Sequence, residues 1–140
     1  MAGDAWGVLE EFDMTEILEK ELVYKIVGCA LTVHNGIGHG LREKTYERAL
    51  CVELRCQGMN YTQQASYPVI YRDEKVDDYI PDLVVENRVI VDTKTVEKII
   101  DEHRGRILNY LRISKLKVGL ILNFKHPRLE WERLVLDTAR

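Results

Sequence analysis

The sequence has little of several residue types that would place it in a special structural class. It has three cysteines, Cys29, Cys51 and Cys56, with no paired C-x-x-C arrangement, which predicts free thiols in a reducing compartment and no zinc site. No apolar run approaches the roughly 20 residues that a membrane helix needs. The N-terminus lacks a basic start followed by an apolar stretch, so no secretory signal is expected. These absences predict a cytoplasmic location.

Charge is unevenly distributed along the 140 residues, although the net charge is only −3. Acidic residues dominate positions 1–40, whereas basic residues dominate positions 101–140. The small negative total argues against a protein that coats nucleic acid by bulk electrostatics. The basic C-terminal third is either a phosphate-binding face or a solvated helix surface. The length fits one domain, predicted over residues 15–140 after an acidic N-terminal arm of residues 1–14.

Residues 79–95 form the central pattern, because two β-branched apolar runs flank a short polar break and so predict a β-hairpin. Side chains alternate across a strand, so Asp92 and Lys94 share one face. A two-residue loop would send Asp82 to the opposite face, whereas a three-residue loop at 85–87 or 86–88 brings it to the face of Asp92. We favour 85–87, because Asn87 then takes the last loop position and tolerates a left-handed conformation.

The expected meeting of Asp82, Asp92 and Lys94 has two chemical interpretations. Two carboxylates in a partly dry place repel each other, so one should take up a proton unless positive charge lies nearby. Lys94 alone would make a structural salt bridge with either aspartate. A divalent cation would supply more charge, and hard oxygen ligands favour Mg²⁺ or Mn²⁺ over zinc.

The rest of the chain predicts a mixed α/β domain. A capping-box pattern at Asp13–Glu16 predicts the start of a first helix, which carries an apolar stripe and stops near Gly36. The remaining patterns predict a helix at 41–57, strands at 65–71, 79–85 and 89–95, a helix at 102–113 and strands at 118–123 and 129–136. The predicted order is α-α-β-β-β-α-β-β, with the strand at 118–123 parallel to one strand of the hairpin.

Several segments resemble a known family. Pro81-Asp82 followed one hairpin later by Asp92-Thr93-Lys94 resembles the motif of the PD-(D/E)xK nuclease superfamily. Gly40-Leu41-Arg42-Glu43-Lys44-Thr45-Tyr46 resembles the signature of the GxxExxY proteins, a small family within that superfamily. Residues 109–111 and 118–124 resemble that family's later segments. The resemblance runs from about Thr15 to Leu136 and implies a restriction-endonuclease-like fold, with a mixed central sheet flanked by helices.

The resemblance also implies a set of catalytic and metal-binding residues. Asp82 and Asp92 would bind Mg²⁺ or Mn²⁺, assisted by Glu43 and the backbone carbonyl of Thr93. Lys94 would orient the attacking water or stabilise charge on the phosphate.

Other candidate residues lie on the helices. Glu43 has an alternative role, because a carboxylate in the first turn of a helix is favoured by the helix dipole. Glu47, one turn further on, is the second candidate for its place. His103 and Arg106 share a helix face and are candidate nucleic-acid contacts, although relatives usually carry Gln where Arg106 stands. Tyr46 is a third candidate contact, with packing or hydrogen bonding near the site as its alternative.

The leading functional hypothesis is a metal-dependent nuclease that acts on nucleic acid, with DNA favoured over RNA. Under this hypothesis the location is cytoplasmic or nucleoid-associated, and a homodimer is left open. The alternative is a catalytically inactive module with the nuclease shape that binds nucleic acid or protein. A third hypothesis is a structural partner in a larger assembly, using the acidic N-terminal arm.

Overall fold

The computed structural model describes the backbone of residues 2–136 and the side chains of residues 19–136. Within that part the chain forms three helices and seven strands. The helices are α1 (Ala2–Ile37), α2 (Glu43–Cys56) and α3 (Asp101–Ser114). The strands are β1 (Tyr61–Gln63), β2 (Tyr67–Tyr71), β3 (Glu74–Tyr79), β4 (Leu83–Val85), β5 (Val89–Lys94), β6 (Val118–Asn123) and β7 (Glu130–Val135).

Five strands form a mixed central sheet in the order β1-β4-β5-β6-β7. Strands β5 and β6 are parallel, with α3 between them in the chain, and the other neighbours are antiparallel. Strands β2 and β3 form a separate two-stranded sheet. The predicted α/β class, the mixed central sheet and the parallel pairing of 118–123 with the hairpin are thereby confirmed.

Side chains point alternately to the two faces of the central strands, so a hydrophobic core forms on each face of the sheet. Leu83, Val85, Val89 and Val91 pack with the buried residues of α1 and α2. The intervening residues of the same strands, such as Ile90, pack with buried residues of α3 on the other face. A sheet covered on both faces explains why these strands are almost continuously apolar. It also means that any charged residue in β5 is placed in a largely dry environment.

Strands β1 and β3 were not predicted, and the predicted strand at 79–85 and the predicted start of the first helix differ from the structure. Tyr79 ends β3 and β4 covers only Leu83–Val85, so Asp82 precedes the strand in which it was predicted to lie. Strand β1 has only three residues, partly exposed, and β3 reads Glu-Lys-Val-Asp-Asp-Tyr, so neither shows the apolar pattern of a core strand. Helix α1 begins at Ala2, so the predicted start at Asp13–Glu16 is wrong. Residues 2–12 contain no proline and continue the helix through that segment. The predicted capping-box contacts lie outside the described side chains.

The loop of the central hairpin is 86–88 rather than the favoured 85–87. Val85 pairs with Val89, and Arg88 N donates a hydrogen bond to Val85 O at 3.0 Å. Glu86 and Asn87 both have positive φ, so Asn87 is left-handed but sits at the middle loop position. Val85 stays in the strand because its other edge pairs with Tyr61 of β1, a pairing that local sequence does not reveal. Both three-residue loops predict the same face for Asp82 and Asp92, so that expectation is unaffected.

Helix α3 packs closely on β6 at Gly119. A Cβ atom added there would overlap the Cγ2 methyl of Ile107, which is fully buried. We therefore expect Gly119→Ala to lower the free energy of unfolding by about 1–3 kcal/mol, the usual cost of overpacking a core. Urea denaturation would measure this. Gly28→Ala is the control, because its added methyl meets nothing within 4 Å in α1 and is expected to be neutral or stabilising by up to about 1 kcal/mol. A Gly119→Ala protein as stable as wild type would contradict this account of the packing.

None of the helices in the described part of the chain is both long enough and apolar enough to cross a membrane.

Candidate functional site

Asp82 and Asp92 lie next to each other at one end of the central hairpin. The pairing of Leu83 with Val91 places Asp82, which immediately precedes β4, beside Asp92 of β5. Asp82 N donates to Asp92 Oδ1 at 3.3 Å. Thr93 donates two hydrogen bonds to Asp82 Oδ2, from its backbone N at 2.9 Å and from its Oγ1 at 3.0 Å. The two acidic groups are thus held together by the backbone of both segments.

Lys94 is the cation beside this pair. Its Nζ lies 3.7 Å from Asp92 Oδ2, which is an ion-pair distance but longer than a good hydrogen bond. Its side chain is 14% exposed, against 5% for Asp92. The lysine therefore lies between the buried carboxylate and solvent. Asp92 therefore contacts both Asp82 and Lys94.

The electrostatics of the pair show a shortage of positive charge. Burial raises the pKa of Asp92 from its ordinary 3.8 to about 6, and the neighbouring Asp82 carboxylate adds to the rise. Lys94, the hydrogen bond from Asp82 N and, least of the three, Arg106 oppose the shift without cancelling it. A further cation near the pair would stabilise the ionised form of Asp92.

This chemistry fits a divalent cation held by two carboxylates. Hard oxygen ligands and uncompensated negative charge are what Mg²⁺ and Mn²⁺ require. The residues with described side chains contain no group of three or more His, Cys, Asp or Glu arranged to hold a metal. Glu43 is thus not gathered into one cluster with Asp82 and Asp92.

A groove of about 1020 Å³ opens beside Lys94, and neither Asp82 nor Asp92 lines it. Its lining comes from the start of α2, from β3, from the end of β5 and from α3. Lys94 and Glu43 both line it, as do His103 and Arg106. Glu43 therefore faces the same space as Lys94, although it does not join the two aspartates. The groove thus opens at the end of β5 where Lys94 lies.

Arg106 is held in place by an aromatic neighbour on α3. Its Nε donates to Tyr110 Oη at 2.9 Å, and its guanidinium carbon lies 5.7 Å from the Tyr110 ring centroid. The hydrogen bond to Tyr110 raises the pKa of Arg106, and the charges of Asp92 and Asp82 raise it further. Tyr110 in turn packs edge-on against Tyr79 of β3 at 5.6 Å. Arg106 is thus a fixed positive charge on the groove wall.

His103 has a structural contact as well as a place in the groove. Its Nδ1 accepts a hydrogen bond from Ile100 N at 3.1 Å, which satisfies a donor at the start of α3. In the neutral ring the proton is then on Nε2. His103 can therefore offer that N–H to a ligand while the other nitrogen anchors the ring.

Tyr46 lies in the core and not on a surface that nucleic acid could contact. It is fully buried and stacks on Phe124 with ring centroids 4.4 Å apart. Its hydroxyl donates to Gly38 O at 2.7 Å and accepts from Leu41 N at 3.2 Å. These bonds close the glycine-rich loop that precedes Glu43. The structure thus places Tyr46 in its alternative role of packing and hydrogen bonding.

Two contributors to the site were not found from the sequence alone. Tyr110 follows Arg106 by four residues, so the helical i,i+4 spacing signals that the two side chains can meet. Gln64 donates its backbone N–H to Asp82 O at 3.0 Å, and no local pattern marks it. Thr93 also binds Asp82 through its N–H and hydroxyl, and the predicted contribution of its carbonyl stays a prediction.

Comparison with known proteins supports the fold and the family. A model of the PD-(D/E)XK nuclease superfamily matches residues 20–134. The crystal structure of SSO0001 is similar, with a TM-score of 0.55 and 16% sequence identity over 69% of this chain and 52% of that one. This chain thus spans about half the length of that structure, and the likeness concerns the fold alone. No curated protein gives a significant match. The predicted restriction-endonuclease-like fold is confirmed, and the narrower likeness to GxxExxY proteins stays a prediction.

Proposed function

Because the chain belongs to the PD-(D/E)XK nuclease superfamily, we propose that it is a nuclease that requires Mg²⁺ or Mn²⁺ and uses Asp82, Asp92 and Lys94. One observation carries the proposal. Asp82 and Asp92 are held side by side by hydrogen bonds from Asp82 N and from Thr93, burial disfavours the ionised form of Asp92, and the Lys94 ammonium lies between Asp92 and an open groove. A structural salt bridge needs neither the second carboxylate, that of the half-buried Asp82, nor the groove.

Asp82 and Asp92 would hold the metal ion, with the Thr93 carbonyl and Glu43 as further candidate ligands. The bound ion would lower the pKa of a coordinated water and neutralise charge on the phosphate. The hydrogen bonds from Thr93 fix the orientation of the Asp82 carboxylate. That leaves little reorganisation to be done when substrate binds.

Lys94 would act on the phosphate directly. It lines the groove while Asp92 is buried behind it, so an entering phosphodiester meets the ammonium. Lys94 would stabilise negative charge on the phosphate oxygens or orient the attacking water. Its pairing with Asp92 keeps the flexible side chain near the reaction centre.

Arg106 and His103 would bind the substrate backbone from α3. The Tyr110 contacts hold the Arg106 fork in a fixed orientation, which suits a phosphate oxygen. The His103 Nε2–H is a second donor one helical turn away. We favour DNA over RNA as the substrate and leave a homodimer open. The segment from Gly40 to Tyr46 supports a place among the GxxExxY proteins.

Cleavage of labelled single- and double-stranded DNA and RNA, with and without Mn²⁺, tests the proposal. We expect Mn²⁺-dependent cleavage whose rate falls as the pH drops below about 6, because Asp92 must lose its proton to bind the cation. The fall should approach tenfold per pH unit for a single required ionisation. A pH series from 4.5 to 8.5 at fixed ionic strength measures it.

The control for that series is circular dichroism at each pH, which separates titration of the site from unfolding. A rate that is independent of Mn²⁺, or that is unchanged between pH 5 and pH 8, would contradict the proposal. Chelation with EDTA should abolish cleavage, and added Mn²⁺ should restore it.

One feature favours the alternative of a catalytically inactive module, in the form that binds protein rather than nucleic acid. Asp77 and Asp78 of β3, together with Glu102, bring negative charge to the groove lining. These acids would oppose a phosphate backbone unless cations shield them. Mn²⁺ calorimetry separates the two functions, because a module without a metal site gives no metal-dependent heat.

A further inference from the structure

A second buried carboxylate, Glu47, lies outside the acidic pair. Its side chain is 3% exposed, so its negative charge must be satisfied by the protein. Gln63 Nε2 donates to it at 2.7 Å, Gln64 Nε2 donates at 3.2 Å, and Lys44 Nζ lies 3.1 Å away. The family-based role for Glu47, as a second candidate for the place of Glu43, does not use these contacts. Its carboxylate is committed to α2 and to the end of β1.

One of the partners of Glu47, Gln64, also binds Asp82. Gln64 follows the last residue of β1 and has a φ of +57°, a conformation that is uncommon for a residue with a side chain. In this conformation its backbone N–H donates to Asp82 O at 3.0 Å. The side chain of Gln64 is held by Glu47, and its main chain holds Asp82. A continuous path of hydrogen bonds thus joins α2 to the first aspartate of the pair.

Asp82 needs such a restraint because it precedes β4 and lies outside the ladder between β4 and β5. Its carboxylate is fixed by Thr93, and its carbonyl is fixed by Gln64. If the Gln64 bond were lost, the Asp82 backbone could rotate away from Asp92. The carboxylate spacing would then vary.

We propose that Glu47 is a positioning residue that holds Asp82 beside Asp92 by clamping Gln64 in its left-handed conformation. The proposal rests on the proposed nuclease function for its effect on turnover. The contact itself is independent of any metal or substrate. Neutralising Glu47 would remove the acceptor charge that binds the glutamine amides and Lys44 together.

The test combines amide hydrogen exchange with kinetics on the full chain. In Glu47→Gln, the exchange of the Gln64 and Thr93 amides is expected to accelerate about tenfold or more, because both amides donate to Asp82. The amides of residues 89–91 should keep their wild-type rates. Cleavage in Mn²⁺ should lose roughly 10- to 100-fold in kcat, with KM within about twofold, since a misplaced reacting group costs turnover rather than binding.

Two further variants secure the test. Asparagine at position 64 tolerates the positive φ but is one methylene too short to reach Glu47. Gln64→Asn should therefore reproduce the faster amide exchange. If Glu47→Gln does not fold, this variant alone tests whether the contact between Glu47 and Gln64 holds Asp82. Glu53→Gln, on the same helix, is the control and should leave both readouts unchanged. Unchanged exchange at Thr93, or uniform acceleration across β5, in folded variants would overturn the proposal. Absent cleavage by wild type would refute the nuclease function and leave the exchange result to decide this contact.

Discussion

Lys94→Ala is expected to abolish cleavage while leaving the fold intact. Lys94 is the positive group that lies between the buried Asp92 and the groove, so an entering phosphate loses its only partner from the β5 strand. Removing one preorganised charge at a reaction centre typically costs 10²- to 10³-fold in kcat. Its ion pair with Asp92 spans 3.7 Å between largely buried side chains, and without Lys94 the Asp92 carboxyl can take up a proton, which limits the loss of stability. Single-turnover cleavage in Mn²⁺, with thermal unfolding monitored in parallel, measures both effects.

Lys98→Ala is the matched control for this variant. Lys98 is exposed, four residues further along the chain, and does not line the groove. It should keep wild-type cleavage, and both variants should melt within a few degrees of wild type. Full Mn²⁺-dependent cleavage by Lys94→Ala would refute the assignment of the active site. Loss of cleavage in both variants would indicate a general electrostatic effect instead.

The meeting of Asp82, Asp92 and Lys94 was predictable because it depends on local geometry. Alternation along β5 fixes the common face of Asp92 and Lys94, and hairpin loop length fixes the face of Asp82. The loop itself was misplaced by one residue, since the pairing of Val85 with β1 comes from a strand that is remote in sequence. This error does not change the predicted face, because both three-residue loops place Asp82 on the same face of the hairpin as Asp92.

The surroundings of the pair depend on contacts between distant segments, and these were not predictable. Gln64 reaches Asp82 across 18 positions of the sequence, and it directly follows a short strand without an apolar pattern. Tyr46 was misassigned as a substrate contact because its burial depends on Phe124, which directly follows β6 and is remote in sequence. A motif names residue types and spacing, whereas packing decides which of them face the groove.

Asp92→Asn is expected to abolish Mn²⁺ binding and cleavage while making the protein more stable at neutral and alkaline pH. The folded protein holds the Asp92 proton more tightly than the unfolded chain, because burial and Asp82 raise its pKa from 3.8 to about 6. The stability that this group contributes is therefore complete below pH 3.8 and is lost as the pH rises through about 6. At pH 8 the buried charge costs roughly 3 kcal/mol at about 1.4 kcal/mol per pKa unit, and Asn removes it.

Urea denaturation at pH 8, 6 and 4 measures the effect. The variant should gain most at pH 8, less at pH 6, and nothing near pH 4. Calorimetry at pH 8 should show at least about a 100-fold loss of Mn²⁺ affinity, since loss of an outer-shell partner alone typically costs 10- to 100-fold. Asp73→Asn, at an exposed turn, is the control and should change stability by less than about 0.5 kcal/mol at every pH. A destabilised variant that still binds Mn²⁺ would show that Asp92 serves the fold. Gained stability together with lost metal binding indicates a residue that is retained for function at the expense of the fold.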